Sequence, residues 1–233
     1  GDDTFTVPLS KFYDVIDTER LLPDDLASYQ SYIEERHRKM IALTFDDGPD
    51  PTTTPQALAI LKKYNAKATF FMVGKNVSAN PDIAKQVRKE GHQIGNHTWD
   101  HPQLPKLSLD NAKKEILDTQ EAIQKATGVQ TKITRPPYGA INNAIQYSVD
   151  QSFIMWDVDS LDWKTHNTTA ILNEVKKEVK PGSIILMHDI HQTTIDALPT
   201  VLDYLKSQGY TFVTVDELLD YQLESHRIYY NGK

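Results

Sequence analysis

Short apolar runs alternate with amphipathic stretches along the chain from residue 39 onward. Runs of this kind, bounded by turn-forming residues, are typical of buried strands. Seven runs are candidate strands, at 40–45, 68–73, 92–96, 130–134, 153–157, 184–187 and 210–215. The pattern therefore predicts several short strands, separated by segments that can hold helices.

Helix start and stop signals lie between these strands. Thr54 and Asn80 are candidate N-caps, each followed by proline, and Ser108 is the candidate N-cap of a longer helix that ends at Gly128. Gly91 and Gly209 are the other stop signals. The apolar positions with helical spacing are Leu58, Leu61, Tyr64, Ala112, Ile116, Ile123, Leu198, Val201, Leu202 and Leu205. Strands alternating with helices indicate an α/β fold with a parallel sheet.

The length and composition favour one large domain. The chain has 233 residues, of which 39% are hydrophobic, and no repeat or flexible linker divides it. We assign 39–233 as the catalytic domain and 1–38 as a peripheral lead-in segment, in which Tyr29 and Ile33 suit a short helix after Pro23. We expect a monomer.

Charge and residue usage exclude several classes of function. The net charge of −7 provides no broad basic surface, so we expect neither nucleic acid nor anionic lipid as a partner. No stretch approaches the roughly 20 apolar residues of a membrane span, and the first residues lack a signal-peptide pattern. We therefore expect no membrane contact by this segment. The absence of cysteine excludes thiolate ligands, a cysteine nucleophile and disulfides.

The first candidate for chemistry is the pair of acids in Thr44-Phe45-Asp46-Asp47-Gly48-Pro49. Asp-Gly-Pro after an apolar run is also an ordinary turn signal, which is the competing interpretation. Side chains of adjacent residues in a strand point to opposite faces. We therefore expect Asp46 and Asp47 to have two separate roles rather than to share one proton.

The second candidate is the pair His97 and His101, which on a helical turn would lie on one face. Such a pair arises by chance in many proteins, so it needs a carboxylate to indicate a metal site. Asp47 or Asp46 can supply that ligand. Two imidazoles and one carboxylate leave positions open for water and substrate, which is typical of catalytic rather than structural metal sites.

Three further segments carry polar residues at predicted strand ends. Arg135, in Arg135-Pro136-Pro137-Tyr138, can hold a carboxylate in bidentate pairing. A polyproline ligand is the rival interpretation there, but the P-x-x-P spacing is missing. The other two segments are 157–163, with several acids, and 184–191, in which His188 could equally be a structural histidine.

Taken together in this order, the five segments resemble carbohydrate esterase family 4, the polysaccharide deacetylases, and especially the peptidoglycan N-acetylglucosamine deacetylases of Gram-positive bacteria. The resemblance covers about residues 38 to 221. It implies a distorted (β/α) barrel, and about seven parallel strands were counted from the apolar runs alone. It also implies hydrolysis of N-acetyl groups on a glycan polymer, outside the cell, in a secreted or cell-wall-associated protein.

The resemblance implies a role for each motif residue. By this resemblance, Asp46 corresponds to the family's catalytic base. Asp47, His97 and His101 correspond to the ligands of one divalent metal. Zn²⁺ is the ion we expect from two imidazoles and one carboxylate, with Co²⁺ or Ni²⁺ as alternatives. The remaining assignments are Arg135 as the partner of the base, Tyr138 as an oxyanion N–H donor, His188 as the general acid, Asp162 as its tuning carboxylate, and Trp163 and Leu186 as substrate-pocket residues.

The alternatives concern substrate and class. Chitin oligomers, poly-N-acetylglucosamine and acetylated xylan are alternative substrates to peptidoglycan. A non-catalytic glycan-binding module could use Trp99, Tyr138 and Trp163 as a sugar platform. A metallophosphatase would usually assemble two metals from more ligands than this sequence offers.

Overall fold

A computed structural model describes residues 27–31, 34 and 39–232 of the chain. The lead-in assigned to 1–38 lies mostly outside these residues. Residues 27–31 are helical, as the position of Tyr29 suggests, whereas Ile33 lies outside the described residues.

The described strands form one sheet of nine, in the order β6-β7-β1-β2-β3-β4-β5-β9, with β8 beside the start of β1. All strand pairs in it are parallel, and β1 pairs with three strands, β7, β2 and β8. The strands are β1 Met40–Asp46, β2 Thr69–Met72, β3 Gln93–Asn96, β4 Ile133–Thr134, β5 Ser152–Ile154, β6 Val158–Asp159, β7 Ile184–His188, β8 Thr211–Phe212 and β9 Ile228–Tyr229. The parallel order curves into an incomplete barrel, which confirms the predicted distorted (β/α) barrel.

Helices follow most of the strands. They are α1 Thr53–Lys63, α2 Gly74–Ala79, α3 Pro81–Lys89, α4 Leu109–Thr127, α5 Asn143–Ser148, α6 Asp162–Thr165, α7 Thr168–Glu178, α8 Gln192–Ser207 and α9 Val215–Leu218, with 3₁₀ turns at Leu104–Lys106 and Pro137–Gly139. None of the described helices is long and apolar enough to cross a membrane.

Local sequence explains where the long helix α4 begins and ends. The Ser108 side chain accepts a hydrogen bond from the Asn111 N–H (3.1 Å), which satisfies one free amide of the first turn. Gly128 follows the last turn with a φ of 76°, a left-handed conformation that glycine adopts without strain. Both limits agree with the prediction from sequence.

The alternation of side chains in β1 separates two parts of the core. Ile41, Leu43 and Phe45 pack outward against the helices, whereas Met40 and Ala42 pack into the barrel interior. The next interior positions are Thr44 and Asp46, both buried. The interior face is therefore apolar where β1 begins and polar where it ends.

The strand β7 has the same arrangement. Ile185 and Met187 belong to the outer core cluster, and Ile184 belongs to the interior one. Leu186 and His188 continue the interior face, and the register pairs His188 with Asp46. The carboxyl ends of the two longest strands thus bring a carboxylate and an imidazole to one rim.

Several predicted boundaries are wrong. The strands expected at 130–134, 153–157 and 210–215 contain only two or three paired residues each. Two short strands, β6 and β9, were not predicted, and they raise the count from about seven to nine. The helix predicted to start after Thr54 begins at Thr53, without a side-chain cap. Hydrogen-bond pairing with a neighbouring strand, rather than apolar content, determines where these short strands begin and end.

Candidate active site

The catalytic base predicted from sequence, Asp46, is paired with the largest fully buried side chain among the described residues. Arg135 is completely buried, and its Nη1 donates to Asp46 Oδ1 at 2.8 Å. Other guanidinium nitrogens donate to the carbonyl oxygens of Ile154 (3.0 Å) and Met155 (2.8 Å). The guanidinium also lies 4.3 Å from the centre of the Phe71 ring. These contacts fix the orientation of the Asp46 carboxylate.

Three side chains bring possible metal ligands together. One ligand atom from each of Asp47, His97 and His101 lies within 4.8 Å of the other two. Asp47 Oδ1 is 3.3 Å from Nε2 of both histidines, and it is buried without a satisfying hydrogen bond. The other ring nitrogen of His97, Nδ1, lies 2.6 Å from the Arg135 carbonyl oxygen, which directs Nε2 toward Asp47.

The local backbone of these ligands differs from the sequence prediction. The residues between His97 and His101 form a loop, not a helical turn, and Thr98 and His101 have φ angles of 67° and 66°. Asp47 leaves β1 with a φ of 82°, so its side chain can face the same rim as Asp46. Left-handed conformations at non-glycine residues are costly and are concentrated at functional sites.

The histidines around Asp47 keep its carboxylate ionised. Burial raises the pKa of Asp47, but the contact with His97 Nε2 and the charges of His97, His188 and His101 outweigh burial and lower it to about 2. Burial and the charge of His97 lower the pKa of His101. Burial lowers the pKa of His97, but the charges of Asp46 and Asp47 outweigh burial and raise it. A metal binds the ionised carboxylate and the neutral imidazoles, so metal binding would displace any proton from His97.

His188 is held by Asp162 in a second charge pair. Its Nδ1 lies 2.8 Å from Asp162 Oδ1, and its backbone N–H donates to Asp162 Oδ2 at 2.7 Å. The Thr194 hydroxyl donates to the same oxygen at 2.8 Å. Burial lowers the pKa of His188, but the hydrogen bond and charge of Asp162 outweigh it and raise that pKa to about 9. His188 therefore carries a proton at neutral pH, with Nε2 facing the cavity.

A cavity of about 380 Å³ joins these groups. Eight of the ten predicted site residues line it, whereas Arg135 and Asp162 lie behind its wall. The lining residues predicted from sequence are Asp46, Asp47, His97, His101, Tyr138, Trp163, Leu186 and His188. The structure brings the predicted set together, and the individual roles stay predictions.

The walls of the cavity combine exposed aromatic rings with a buried aliphatic side chain. Trp163 and Tyr138 are largely exposed, and the Tyr138 ring packs edge-on against His101, with the ring centres 4.8 Å apart. Leu186 is buried at the base. Tyr138 lies in a 3₁₀ turn with a φ of 63°. The exposed aromatic side chains can contact a polar ring at the mouth of the cavity, and Leu186 can contact a small apolar group inside it.

The cavity also contains residues to which the sequence analysis gave no role. Pro136, Trp156 and Asp159 line it. Asp159 lies in the acidic segment 157–163 and Trp156 in the predicted strand 153–157, but the sequence pattern does not indicate that these side chains line the cavity. Asp189, directly after His188, is buried, and its Oδ2 accepts a hydrogen bond from the Thr54 hydroxyl at 2.5 Å.

Comparison with known proteins assigns this chain to a family. The family model for polysaccharide deacetylases matches residues 33–152. The peptidoglycan-N-acetylglucosamine deacetylase PgdA of Listeria monocytogenes is 47% identical over 193 residues, which cover 83% of this chain and 41% of that protein. The peptidoglycan-N-acetylmuramic acid deacetylase PdaC of Bacillus subtilis is 44% identical over 182 residues, which cover 78% of this chain and 39% of that protein.

A solved structure is similar over nearly its whole length. It is a family 4 acetyl xylan esterase from Clostridium thermocellum in complex with a cobalt ion, with a TM-score of 0.78 and 36% identity, covering 83% of this chain and 98% of that one. The chain belongs to the polysaccharide deacetylase family. It spans about two fifths of the length of the Listeria and Bacillus relatives.

Proposed function

We propose that residues 39–233 form the catalytic domain of a metal-dependent deacetylase that removes acetate from N-acetylglucosamine residues of peptidoglycan. The observation that carries the proposal is one cavity lined by three possible metal ligands, an arginine-bound carboxylate and an imidazole held by a buried carboxylate. A glycan-binding module needs none of these groups at its aromatic surface.

The ligand set fits a divalent metal. Asp47 Oδ1 is a buried anionic oxygen without a satisfying hydrogen bond, and it faces two imidazole nitrogens at equal distances of 3.3 Å. Asp47, His97 and His101 would hold the ion, and we expect Zn²⁺, with Co²⁺ or Ni²⁺ as substitutes. When bound, such an ion supplies Lewis-acid polarisation of the acetyl carbonyl and lowers the pKa of water.

The protein groups perform the proton transfers of amide hydrolysis. Asp46, held by Arg135, accepts a proton from the attacking water. The backbone N–H of Tyr138 donates to the oxyanion that forms as water adds to the acetyl carbon. His188 Nε2 then donates its proton to the sugar nitrogen as the C–N bond breaks. The products are acetate and a free amine on the glycan, and no covalent intermediate is needed.

The cavity shape supports an N-acetyl sugar as the substrate. Leu186 offers an apolar surface for the acetyl methyl group, and Trp163 forms a wall for the sugar ring. We choose peptidoglycan because PgdA and PdaC are named as peptidoglycan deacetylases. Acetylated xylan stays an alternative substrate, because one similar solved structure is an acetyl xylan esterase. Action on peptidoglycan would place the protein outside the cell, at the cell wall, and we expect it to act as a monomer.

One divalent ion per chain is expected to bind through the Asp47, His97 and His101 set. His101→Ala should remove one of three ligands and lower the affinity by several orders of magnitude. Elemental analysis after dialysis and anomalous diffraction can measure the occupancy and position of the ion. His226→Ala, a histidine far from this set in sequence, is the control and should keep the ion. Unchanged occupancy in His101→Ala would remove the basis of the mechanism.

Acetate release is expected from purified peptidoglycan, and it should stop when a chelator removes the metal. The assay compares peptidoglycan, N-acetylated chitooligomers and acetylated xylan at equal acetyl concentration, with and without chelator, followed by re-supply of Zn²⁺. Release from all three substrates at similar rates would contradict peptidoglycan specificity but not the reaction. Glycan binding without acetate release would identify a binding module.

A further inference from the structure

The three proposed metal ligands come from two loops that belong to strands separated in the sheet. Asp47 follows β1, and His97 and His101 follow β3, with β2 lying between the two strands. The helix α2 follows β2 and contacts both loops. On the basis of the metal site proposed above, we infer that Asn76 on α2 and Glu115 on α4 are positioning residues that set the metal affinity by holding the two ligand loops in place.

Asn76 holds the loop that carries Asp47. Its side-chain Nδ2 donates to the backbone carbonyl oxygen of Asp47 at 2.8 Å. The backbone of the same connection reinforces this contact, because the Val73 N–H donates to the Gly48 carbonyl at 3.0 Å. Asp47 has a φ of 82°, which costs energy for a residue with a Cβ, so its conformation must be held by its neighbours.

The start of α2 also holds the loop between the two histidines. The Gly74 N–H donates to the Thr98 carbonyl at 2.8 Å, and the Lys75 N–H donates to the Trp99 carbonyl at 3.0 Å. Both donors belong to the first turn of the helix, where amides lack partners within the helix. The same short helix therefore binds carbonyl groups from both ligand loops, one through a side chain and the other through its backbone.

Glu115 binds the N–H groups on the opposite side of the histidine loop. Its Oε2 accepts from the Trp99 N–H at 2.8 Å and from the Asp100 N–H at 3.2 Å. Both residues lie between the two histidine ligands. Burial and the Asp100 side chain raise the pKa of Glu115, whereas the hydrogen bonds from the two loop N–H groups oppose that rise and stabilise its ionised form. Glu115 therefore holds the backbone between the two histidine ligands.

Packing leaves little freedom at the point where these elements meet. A Cβ on Gly74 would lie 2.5 Å from both Thr119 Oγ1 and a carbon of the Trp99 ring, so only glycine fits without a shift. Thr119 is one turn along α4 from Glu115, and its hydroxyl donates to the Glu115 carbonyl at 2.8 Å. The helix α4, the helix α2 and the histidine loop are thus in direct contact. A lost hydrogen bond there is expected to loosen the ligands rather than unfold the domain.

The test measures Co²⁺ binding to the metal-free chain by visible absorption, with dissociation constants obtained by competition against a chelator. Asn76→Ala and Glu115→Ala should each weaken binding about tenfold or more, the usual effect of removing a group that supports a ligand. Glu115→Gln keeps an acceptor oxygen and should recover part of the loss. Asn76→Asp keeps the side-chain volume but replaces the amide donor by a carboxylate oxygen, which cannot donate to the Asp47 carbonyl. This variant should bind Co²⁺ more weakly than the unmodified chain, although it adds a negative charge.

Two matched variants control for general destabilisation. Asn80→Ala removes a side chain whose Nδ2 donates to the Asn76 carbonyl at 3.2 Å and to the Pro49 carbonyl at 3.4 Å, but makes no hydrogen bond to Asp47. Glu121→Ala removes an exposed carboxylate on α4, the helix of Glu115. Both should bind Co²⁺ within about twofold of the unmodified chain, and thermal unfolding of the metal-free proteins should be similar for all variants.

The outcomes separate this inference from the proposed function. Binding of Co²⁺ by Asn76→Ala and Glu115→Ala as tight as that of the unmodified chain overturns the positioning roles and leaves the metal site intact. Tighter binding by Asn76→Asp, or equal losses in the two control variants, also overturns them. An unmodified chain that does not bind Co²⁺ overturns the metal site itself, and the positioning roles with it.

Discussion

Replacing Asp46 by Asn should lower the rate of deacetylation roughly 10²–10⁴-fold, the usual contribution of a general base. The amide of Asn has nearly the shape of the carboxylate but cannot accept the proton of the attacking water. Metal content should stay the same, because the ligand set comprises Asp47, His97 and His101 and excludes Asp46. The measurement is kcat on N-acetylated chitooligomers, with the metal content of the same sample.

Asp47→Asn is the matched comparison, since it makes the same chemical change one residue further along. It should lose metal affinity, and excess metal should restore part of its rate. Asp46→Asn should not respond to excess metal. The opposite pattern, with metal lost from Asp46→Asn and the rate regained on re-supply, would mean that the roles of the two acids are exchanged.

The second large effect is expected from Asp162→Asn, which removes the negative charge beside His188 and keeps the shape of the side chain at position 162. The general acid must be protonated, so activity is present below the pKa of His188 and falls as the pH rises through it. Burial lowers the pKa of His188, but the hydrogen bond and charge of Asp162 outweigh burial and raise that pKa to about 9. Without the charge, the alkaline limb of the pH–rate profile should move to lower pH and the maximum rate should fall, with unchanged metal content.

Comparison of two substrates tests whether the effect concerns leaving-group protonation. An aryl acetate has a good leaving group and should lose less activity in Asp162→Asn than the amide does. Asp196→Asn, an exposed carboxylate on α8, controls for the change in net charge and should leave the profile in place. An alkaline limb that does not move, or equal losses for ester and amide, would show that Asp162 does not tune a general acid at His188.

The sequence predicted those elements whose signal is local. The apolar run at 40–45 agrees with β1 to within one residue, and Ser108 and Gly128 limit α4 as expected. In contrast, β6 and β9 contain two residues each, and only their pairing with β7 and β5 makes them strands. Such pairing depends on how distant segments meet, which apolar periodicity does not encode.

The site shows the same division between local and tertiary information. The order of five motifs was enough to select the ten residues, but not the left-handed loop of Thr98 and His101 that replaces the expected helical turn. Asn76 and Glu115 belong to none of the motifs, and their contacts depend on the packing of α2 and α4. No spacing rule in the sequence could have selected them.

The burial of Arg135 limits how the sequence can change if catalysis is lost. An arginine with no exposed surface keeps its charge in the interior because Asp46 lies 2.8 Å away. Removing one member of a buried ion pair typically costs about 3–5 kcal/mol, whereas replacing both by apolar residues is often neutral. A descendant that abandoned catalysis would therefore tend to change both positions together, so that an intact Arg135 beside a substituted Asp46 would mark a recent and destabilised loss.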